Sequence, residues 1–212
     1  MELDDLRRQQ IKMLSDTLLT LGFVFVVIGF GPLLYDNLNY YIQHGLGKSY
    51  ILSTTSQPSP RIGKSSIQDI LKGLVSEKII NIRPTNLEYS IVIEKIGLAA
   101  PIVSNVSVTN EKQYMDALKK GIAHAVTSDF PSESPGNTYL FAHSSLDYSF
   151  LGKFSRSFNL LDKLSKGDRV HIYYNNKDYV YSVVNTEFLP GWNTRSLDRK
   201  DISPVLTLQS CY

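Results

Sequence analysis

The apolar positions of the chain form one long N-terminal run and then a series of short alternating runs. Residues 17–35, TLLTLGFVFVVIGFGPLLY, carry no charge. At about 1.5 Å per residue, a helix of this length nearly spans a hydrocarbon core of about 30 Å. A buried core helix and a cleaved signal peptide are the alternatives. The run is long for a signal peptide, and YDNLNYY after it offers no small-residue cleavage site. The pattern predicts a transmembrane anchor over residues 17–35.

The charges that flank this run predict its orientation. Arg7, Arg8 and Lys12 precede it, whereas Lys48 is the only lysine or arginine in the flank that follows. Because basic flanks stay on the cytoplasmic side of a membrane helix, residues 1–16 are expected in the cytoplasm. The rest of the chain is then extracytoplasmic.

The segment after the apolar run contains two stretches of different composition. Residues 53–66, STTSQPSPRIGKSS, are rich in Ser, Thr and Pro, which favours an extended linker. Apolar residues then recur with helical spacing from Ile67 to Ile79, although Gly73 weakens this pattern. We therefore expect an extracytoplasmic linker with a short helix over residues 36–84 and a globular domain over residues 85–212.

Within that domain, short β-rich runs are separated by turns. They are YSIVIEKIG, APIVSNVSV, GNTYLFAH, DRVHIYYNN, KDYVYSVVNTEFL and PVLTLQSC. Asn175 and Asn176 tolerate the positive φ of a tight hairpin turn, and Asn110 and Gly121 are suited to begin and end a short helix. This spacing of strands predicts a mainly β fold with few short helices, arranged as a closed or nearly closed barrel.

Composition narrows the chemistry. The net charge of +2 gives no electrostatic case for nucleic-acid binding, and 42% apolar residues are enough to build a core. The single cysteine, Cys211, cannot form an intrachain disulfide. Its thiol is therefore buried, paired with another chain, or free and reactive.

Strand alternation places Cys211 on a polar face. In VLTLQSC, Thr207, Gln209 and Cys211 share one face, and the leucines share the other, which we expect to face the core. Among the histidines, His143 ends the apolar run TYLF and begins a turn, a common position for a functional residue. His124 is either structural or lines a site, His44 lies beside the membrane, and His171 is expected on a solvent-facing strand position.

Several motifs in the C-terminal region together resemble the sortase family. TLQSC is similar to the family's TLxTC motif, with Ser210 in place of threonine. GIAHAVTSDFPSESPGNTYLFAHSS resembles the stretch that leads to the catalytic histidine. IVIEKIGLAAPIV resembles the family's opening strands with Glu94 in place of proline, and LLDKLSKGDRVHIYY resembles its Leu-x-x-Gly-Asp segment. The order and spacing of these motifs agree over residues 87–212.

This resemblance implies an eight-stranded sortase barrel and a cysteine transpeptidase. Cys211 then corresponds to the nucleophile and His143 to the catalytic histidine, with Thr207, Gln209 and His124 along the substrate groove. The substrates would be exported proteins with a C-terminal sorting signal. The acceptor would be an amine on the cell wall or on a pilin subunit.

One residue of the family's site has no counterpart in the chain. The catalytic arginine is expected after Tyr212, on a strand that the sequence lacks, so we expect a chain truncated just after its nucleophile. Arg195 and Arg199 precede the cysteine and are not assigned this role.

Three other interpretations stay open. The chain could be an inactive, membrane-tethered β-domain that binds peptides, and the absent arginine favours this. It could be a cysteine peptidase in which water resolves the thioester. A metalloenzyme is disfavoured because no cluster has metal-ligand spacing. We expect no cofactor, although some sortases use calcium.

Overall fold

The computed structural model describes residues 2–53, 79–143, 152–154, 156–189 and 202–211. Within these residues the α-helices are α1 (Glu2–Gly45) and α2 (Glu111–Lys120). The strands are β1 (Ser49–Leu52), β2 (Ile79–Ile82), β3 (Tyr89–Ile93), β4 (Leu98–Val106), β5 (Ile122–Ala125), β6 (Gly136–His143), β7 (Arg169–Tyr174), β8 (Lys177–Ser182) and β9 (Pro204–Cys211). Short 3₁₀ turns lie at Glu94–Ile96, Gly152–Phe154 and Leu161–Lys163.

Helix α1 contains the predicted apolar run. Residues Arg7–Gly31 are long and apolar enough to cross a membrane, and this span is not buried against the rest of the protein. The helix continues ten residues beyond residue 35, to Gly45. Residues 36–45 therefore continue the same helix beyond the apolar run.

The two strands β1 and β2 form a small parallel sheet of their own. The sequence interpretation placed both strands in the linker, and the helix expected over residues 67–79 lies mostly outside the described residues. Tyr50 and Leu52 pack against Val92 and Tyr173 on the larger sheet. The small sheet thus covers part of the outer face of β3 and β7.

The larger sheet has seven strands in the order β8-β7-β3-β4-β5-β6-β9. The sheet is curved, so strands that are distant in its order come together. Tyr181 of β8 hydrogen-bonds with Thr138 of β6. Side chains on the concave side form one apolar core that includes Ile91, Ile122 and Leu140. The predicted mainly β, barrel-like fold with few helices is confirmed.

Local signals account for several of these elements. Asn110 accepts a hydrogen bond from the Gln113 amide at 3.0 Å and so caps α2. Asn175 and Asn176 have φ values of 49° and 62° and form the turn between β7 and β8. Strand β5 had not been predicted from its short segment GIAHAV. It is buried along its whole length, so it shows no apolar–polar alternation.

Candidate active site

The candidate site lies where β6 and β9 end side by side. These strands are parallel and in register from Gly136 opposite Pro204 to His143 opposite Cys211. Paired positions on neighbouring strands are about 4.8 Å apart in the direction of the backbone hydrogen bonds. The two sequence-predicted catalytic residues, which are 68 positions apart in the chain, therefore occupy paired positions at the same end of the sheet.

The alternation predicted for β9 is present. Leu206 and Leu208 pack against the apolar core. On the opposite face, Thr207 donates a hydrogen bond to Asn137 Oδ1 at 2.8 Å. Gln209 accepts a hydrogen bond from the hydroxyl of Tyr139. The polar face of β9 is thus fastened to β6 by side chains as well as by the backbone.

The N-terminal end of β6 is held by the loop that precedes it. The Asp129 amide donates to the Asn137 carbonyl at 3.0 Å, and Asp129 Oδ2 accepts from the Asn137 amide at 3.2 Å. A Cβ atom on Gly136 would lie 2.6 Å from Asp129 Oδ2. Only glycine fits here without displacing Asp129, which explains the glycine at the start of the strand.

The other end of β6 is packed by aromatic residues. Phe141, two positions before His143, stacks on Tyr114 of α2 with a ring separation of 5.3 Å and an angle of 12°. Phe154, at the end of the Gly152–Phe154 turn, also packs against the core. The backbone that carries the predicted catalytic histidine therefore rests on a rigid support.

His124 lies in the core and is fully buried. Its Nε2 is 3.2 Å from the Asp129 carbonyl oxygen, and its ring packs edge-on against Tyr89 and Phe130. Because a carbonyl only accepts, we assign the proton to Nε2. Burial lowers the pKa of His124, so its imidazole is neutral at neutral pH. With no solvent exposure, His124 supports the barrel from inside and does not line an open groove.

His171 differs from the sequence expectation. It was expected to face solvent, but it is only 6% exposed. It pairs in register with Val92, which packs beneath the small β1–β2 sheet. His171 Nδ1 lies 3.0 Å from Asp178 Oδ2 on β8. The expectation was wrong because β1 and β2 cover this outer face, and neither strand had been predicted.

Two arginines among the described residues are paired with carboxylates. Arg156 is 3.0 Å from Asp36, and Arg169 is 3.2 Å from Glu94. Arg195 and Arg199 lie outside the described residues. Within the part of the chain that the structure describes, no group of three or more His, Cys, Asp or Glu residues is placed to hold a metal ion.

Sequence reasoning had not identified two residues of the polar face, Asn137 and Tyr139. Both lie an even number of positions before His143 in the run GNTYLFAH, and so share one face of β6 with it. That spacing was the available signal. Their cross-strand partners could not be read from it, because partners depend on which strand lies beside β6.

Comparisons with known proteins gave one family match and several similar solved structures. A family model for the Sortase domain matches residues 91–212. Similar solved structures include sortase C from Clostridium perfringens SM101 (26% identity, 58% of this chain, 59% of that chain, TM-score 0.46). Others are sortase C1 from Streptococcus suis (24% identity, 59% and 64%, TM-score 0.48) and sortase A from Corynebacterium diphtheriae (20% identity, 72% and 65%, TM-score 0.48).

The chain spans about 59–64% of the length of the first three similar structures. No curated protein sequence matches it significantly. The family match covers more than half of the chain and includes both strands of the candidate site. This chain therefore belongs to the sortase family.

Proposed function

We propose that this protein is a membrane-anchored, sortase-type cysteine transpeptidase in which Cys211 is the nucleophile and His143 the acid–base group. The observation that carries the proposal is their paired position at the ends of β6 and β9. A nucleophile and its base must come within hydrogen-bond reach during the reaction. Neighbouring parallel strands in register allow this for residues that are distant in sequence.

In the first half of the reaction, the Cys211 thiolate attacks the carbonyl carbon of a threonyl–glycine bond in a sorting signal. A C–S bond forms, the C–N bond breaks, and protonated His143 gives its proton to the leaving amine. A free thiol has a pKa of about 8.5, so a neighbouring imidazolium would increase the thiolate fraction near neutral pH.

In the second half, an amine attacks the thioester carbonyl. His143 takes the proton of the incoming amine, a new C–N bond forms, and the C–S bond breaks to release the thiolate. The acceptor amine would belong to the cell wall or to a pilin subunit. The thioester makes transfer to an amine possible without an external energy source.

The polar face of β9 would border the substrate. Thr207 and Gln209 precede the nucleophile on the face that alternation assigns to Cys211, and both are partly buried. Their bonds to Asn137 and Tyr139 fix the spacing of the two strands. These contacts support a role in holding the catalytic pair in register while the substrate binds beside it.

Helix α1 would anchor the enzyme, with residues 1–16 in the cytoplasm and the barrel outside. The support is the apolar span Arg7–Gly31 and the basic residues near its beginning. Protease added to intact cells should digest the chain beyond residue 41. Protection of the barrel under these conditions would contradict this orientation.

The function is tested with the protein at its full natural length, reconstituted in liposomes, with a sorting-signal peptide and a primary amine. Mass spectrometry should detect an acyl adduct on Cys211 and the peptide–amine product. Cys211→Ala should abolish both, because it removes the thiol that forms the acyl adduct. Cleavage that survives this substitution would refute the mechanism, and release of free acid alone would indicate a peptidase.

The matched control is Ser210→Ala. Ser210 is the neighbour of Cys211 but occupies the opposite face of β9. Its hydroxyl is buried and makes no hydrogen bond in the described part of the chain. Removing it should leave acylation within about threefold of the unmodified protein.

A further inference from the structure

The juxtamembrane end of α1 is fastened directly to the barrel. Asp36, the first residue after the apolar run, lies 3.0 Å from Arg156 and accepts a hydrogen bond from Asn159 Nδ2 at 2.9 Å. The Asp36 side chain is only 16% exposed. We call this contact the Asp36 clasp. Charge-assisted bonds of this kind, partly shielded from water, are stronger than exposed ion pairs.

A second contact lies farther along the helix. The Lys163 ammonium is 5.3 Å from the centre of the Tyr41 ring. Positions 36 and 41 are about 7.5 Å apart along the helix axis, so the two contacts act at different heights. Two separate contacts restrict both the position and the tilt of α1 against the barrel.

Strand directions show which end of the barrel is held in this way. In the register of the sheet, the ends of β3 at Ile93 and β6 at His143 lie at the same end as the start of β7 at Arg169. Cys211 lies there too, paired with His143. The turns that contact α1 belong to this end, since the segment that ends at Lys163 leads into β7.

The space beside this end confirms that α1 reaches it. A cleft of about 340 Å³ is lined by His44 and Lys48 after the apolar run and by Glu94 and Lys95 at the end of β3. The opposite end of the barrel carries the β5–β6 loop and the β7–β8 turn, where Lys177 pairs with Glu133.

We propose that Asp36 is a positioning residue that holds the His143–Cys211 end of the barrel toward the bilayer at a fixed, short height. The inference rests on the proposed membrane anchoring of α1 but not on transpeptidation. Without the clasp, the Lys163–Tyr41 contact would remain, but it does not fix the tilt alone, and the barrel would tilt more freely on the extension of α1. The candidate site would then sample a wide range of heights.

The single native cysteine makes this testable without enzymatic turnover. The chain is reconstituted in liposomes that contain lipids with a maleimide on spacers of graded length, and labelling rates are compared with those of a soluble maleimide. Tethered reactions are fastest when the spacer matches the distance to be spanned. Cys211 should be labelled best by short spacers.

A reporter at the opposite end gives the contrast. In the Ser134→Cys, Cys211→Ser variant, the thiol is in the exposed β5–β6 loop. It should need longer spacers than Cys211. If Cys211 does not react with soluble maleimide, the Ser134→Cys thiol alone decides the test. The criterion is then whether Asp36→Ala changes the dependence of its labelling rate on spacer length.

Asp36→Ala should make the labelling rate depend less on spacer length, both for native Cys211 and for the Ser134→Cys reporter. The ratio of the fastest to the slowest labelling rate should fall by at least about threefold. Rates with soluble maleimide should not change. The pair Asp36→Arg with Arg156→Asp should restore the dependence. Asp116→Ala, which breaks an exposed ion pair with Lys119 on α2, is the matched control and should have no effect.

Three results would overturn the proposal. The first is a spacer dependence that is unaltered by Asp36→Ala. The second is an equal change in tethered and soluble rates, which would mean that Asp36 acts on the fold of the barrel. The third is a Ser134→Cys reporter that is reached by spacers as short as those that reach Cys211. Loss of liposome binding would instead refute the anchoring itself.

Discussion

The two edges of the seven-stranded sheet each carry a histidine near a potential partner on the neighbouring strand, but they are built differently. At one edge, His171 and Asp178 are brought together by a hairpin with a two-residue turn. At the other, His143 and Cys211 are brought together by parallel strands that lie far apart in the sequence. The hairpin pair is local and partly covered by the β1–β2 sheet. The parallel pair depends on the whole barrel.

The difference indicates what each pair is suited to do. His171 is buried and its hydrogen bond to Asp178 is partly buried, and burial raises the pKa of Tyr173 on the same face to about 12. Such a pair stabilises the outer face of β7 and β8. His143 and Cys211 are at strand ends, where a rigid sheet presents side chains to a substrate.

The comparison is tested most strongly by His143→Ala. We expect this substitution to reduce transfer of a sorting-signal peptide to an amine by about 10²- to 10⁴-fold, the usual contribution of a proton-transfer group. The melting temperature should change by only a few degrees. A variant that keeps more than about a tenth of the activity would show that His143 is not the acid–base group.

The matched substitution at the other edge is His171→Ala. It should lower the free energy of unfolding by about 2–3 kcal/mol, because it removes a buried ring and a hydrogen bond. Activity below the melting transition should stay within about threefold. Thermal unfolding and the peptide-transfer assay measure the two effects. A large loss of activity with unchanged stability would reverse the roles assigned to the two edges.

His124 allows a test based on pH. Its pKa is lowered from the ordinary value of 6.5 by burial, so the unfolded state takes up a proton before the folded state does. This contribution to stability is fully present above pH 6.5 and is lost as the pH falls below it. His124→Gln should be less stable than the unmodified protein at pH 7.5 by about 1–3 kcal/mol. Between pH 7.5 and pH 5.5, the variant should then lose less stability than the unmodified protein loses.

The control for this experiment is His44→Gln, since His44 lies on α1 and is outside the barrel core. It should keep the full pH dependence in thermal unfolding of the detergent-solubilised protein. An unchanged pH dependence in His124→Gln would mean that other groups cause the acid destabilisation.

The smallest expected effect is at the β7–β8 turn. Asn176 has a φ of 62°, which glycine adopts without strain. Asn176→Gly should therefore raise the free energy of unfolding slightly or leave it unchanged, within about 0.5 kcal/mol, whereas Asn176→Ala should lower it by about 1 kcal/mol. Neither should alter peptide transfer. Equal stability of the two variants would show that the turn conformation does not limit the hairpin.

Much of the fold could be predicted from short stretches of sequence. The apolar run predicted a helix that is present in α1, the Asn175–Asn176 pair predicted the hairpin turn, and Asn110 predicted the start of α2. The alternation in VLTLQSC separated the core face of β9 from its polar face. Each of these signals acts over a few residues, so it can be read without knowing the tertiary structure.

The remaining features depend on contacts between distant segments. Only the order of strands places His143 beside Cys211. His171 is buried on the face of β7 where Tyr173 packs with residues of the β1–β2 sheet. The Asp36 clasp likewise joins residues more than 100 positions apart. The sequence by itself determined most of the strands, the start of α2, the two faces of β9 and the residue types able to react. The tertiary structure decided which of them meet, because burial and pairing depend on the long-range packing that closes the barrel.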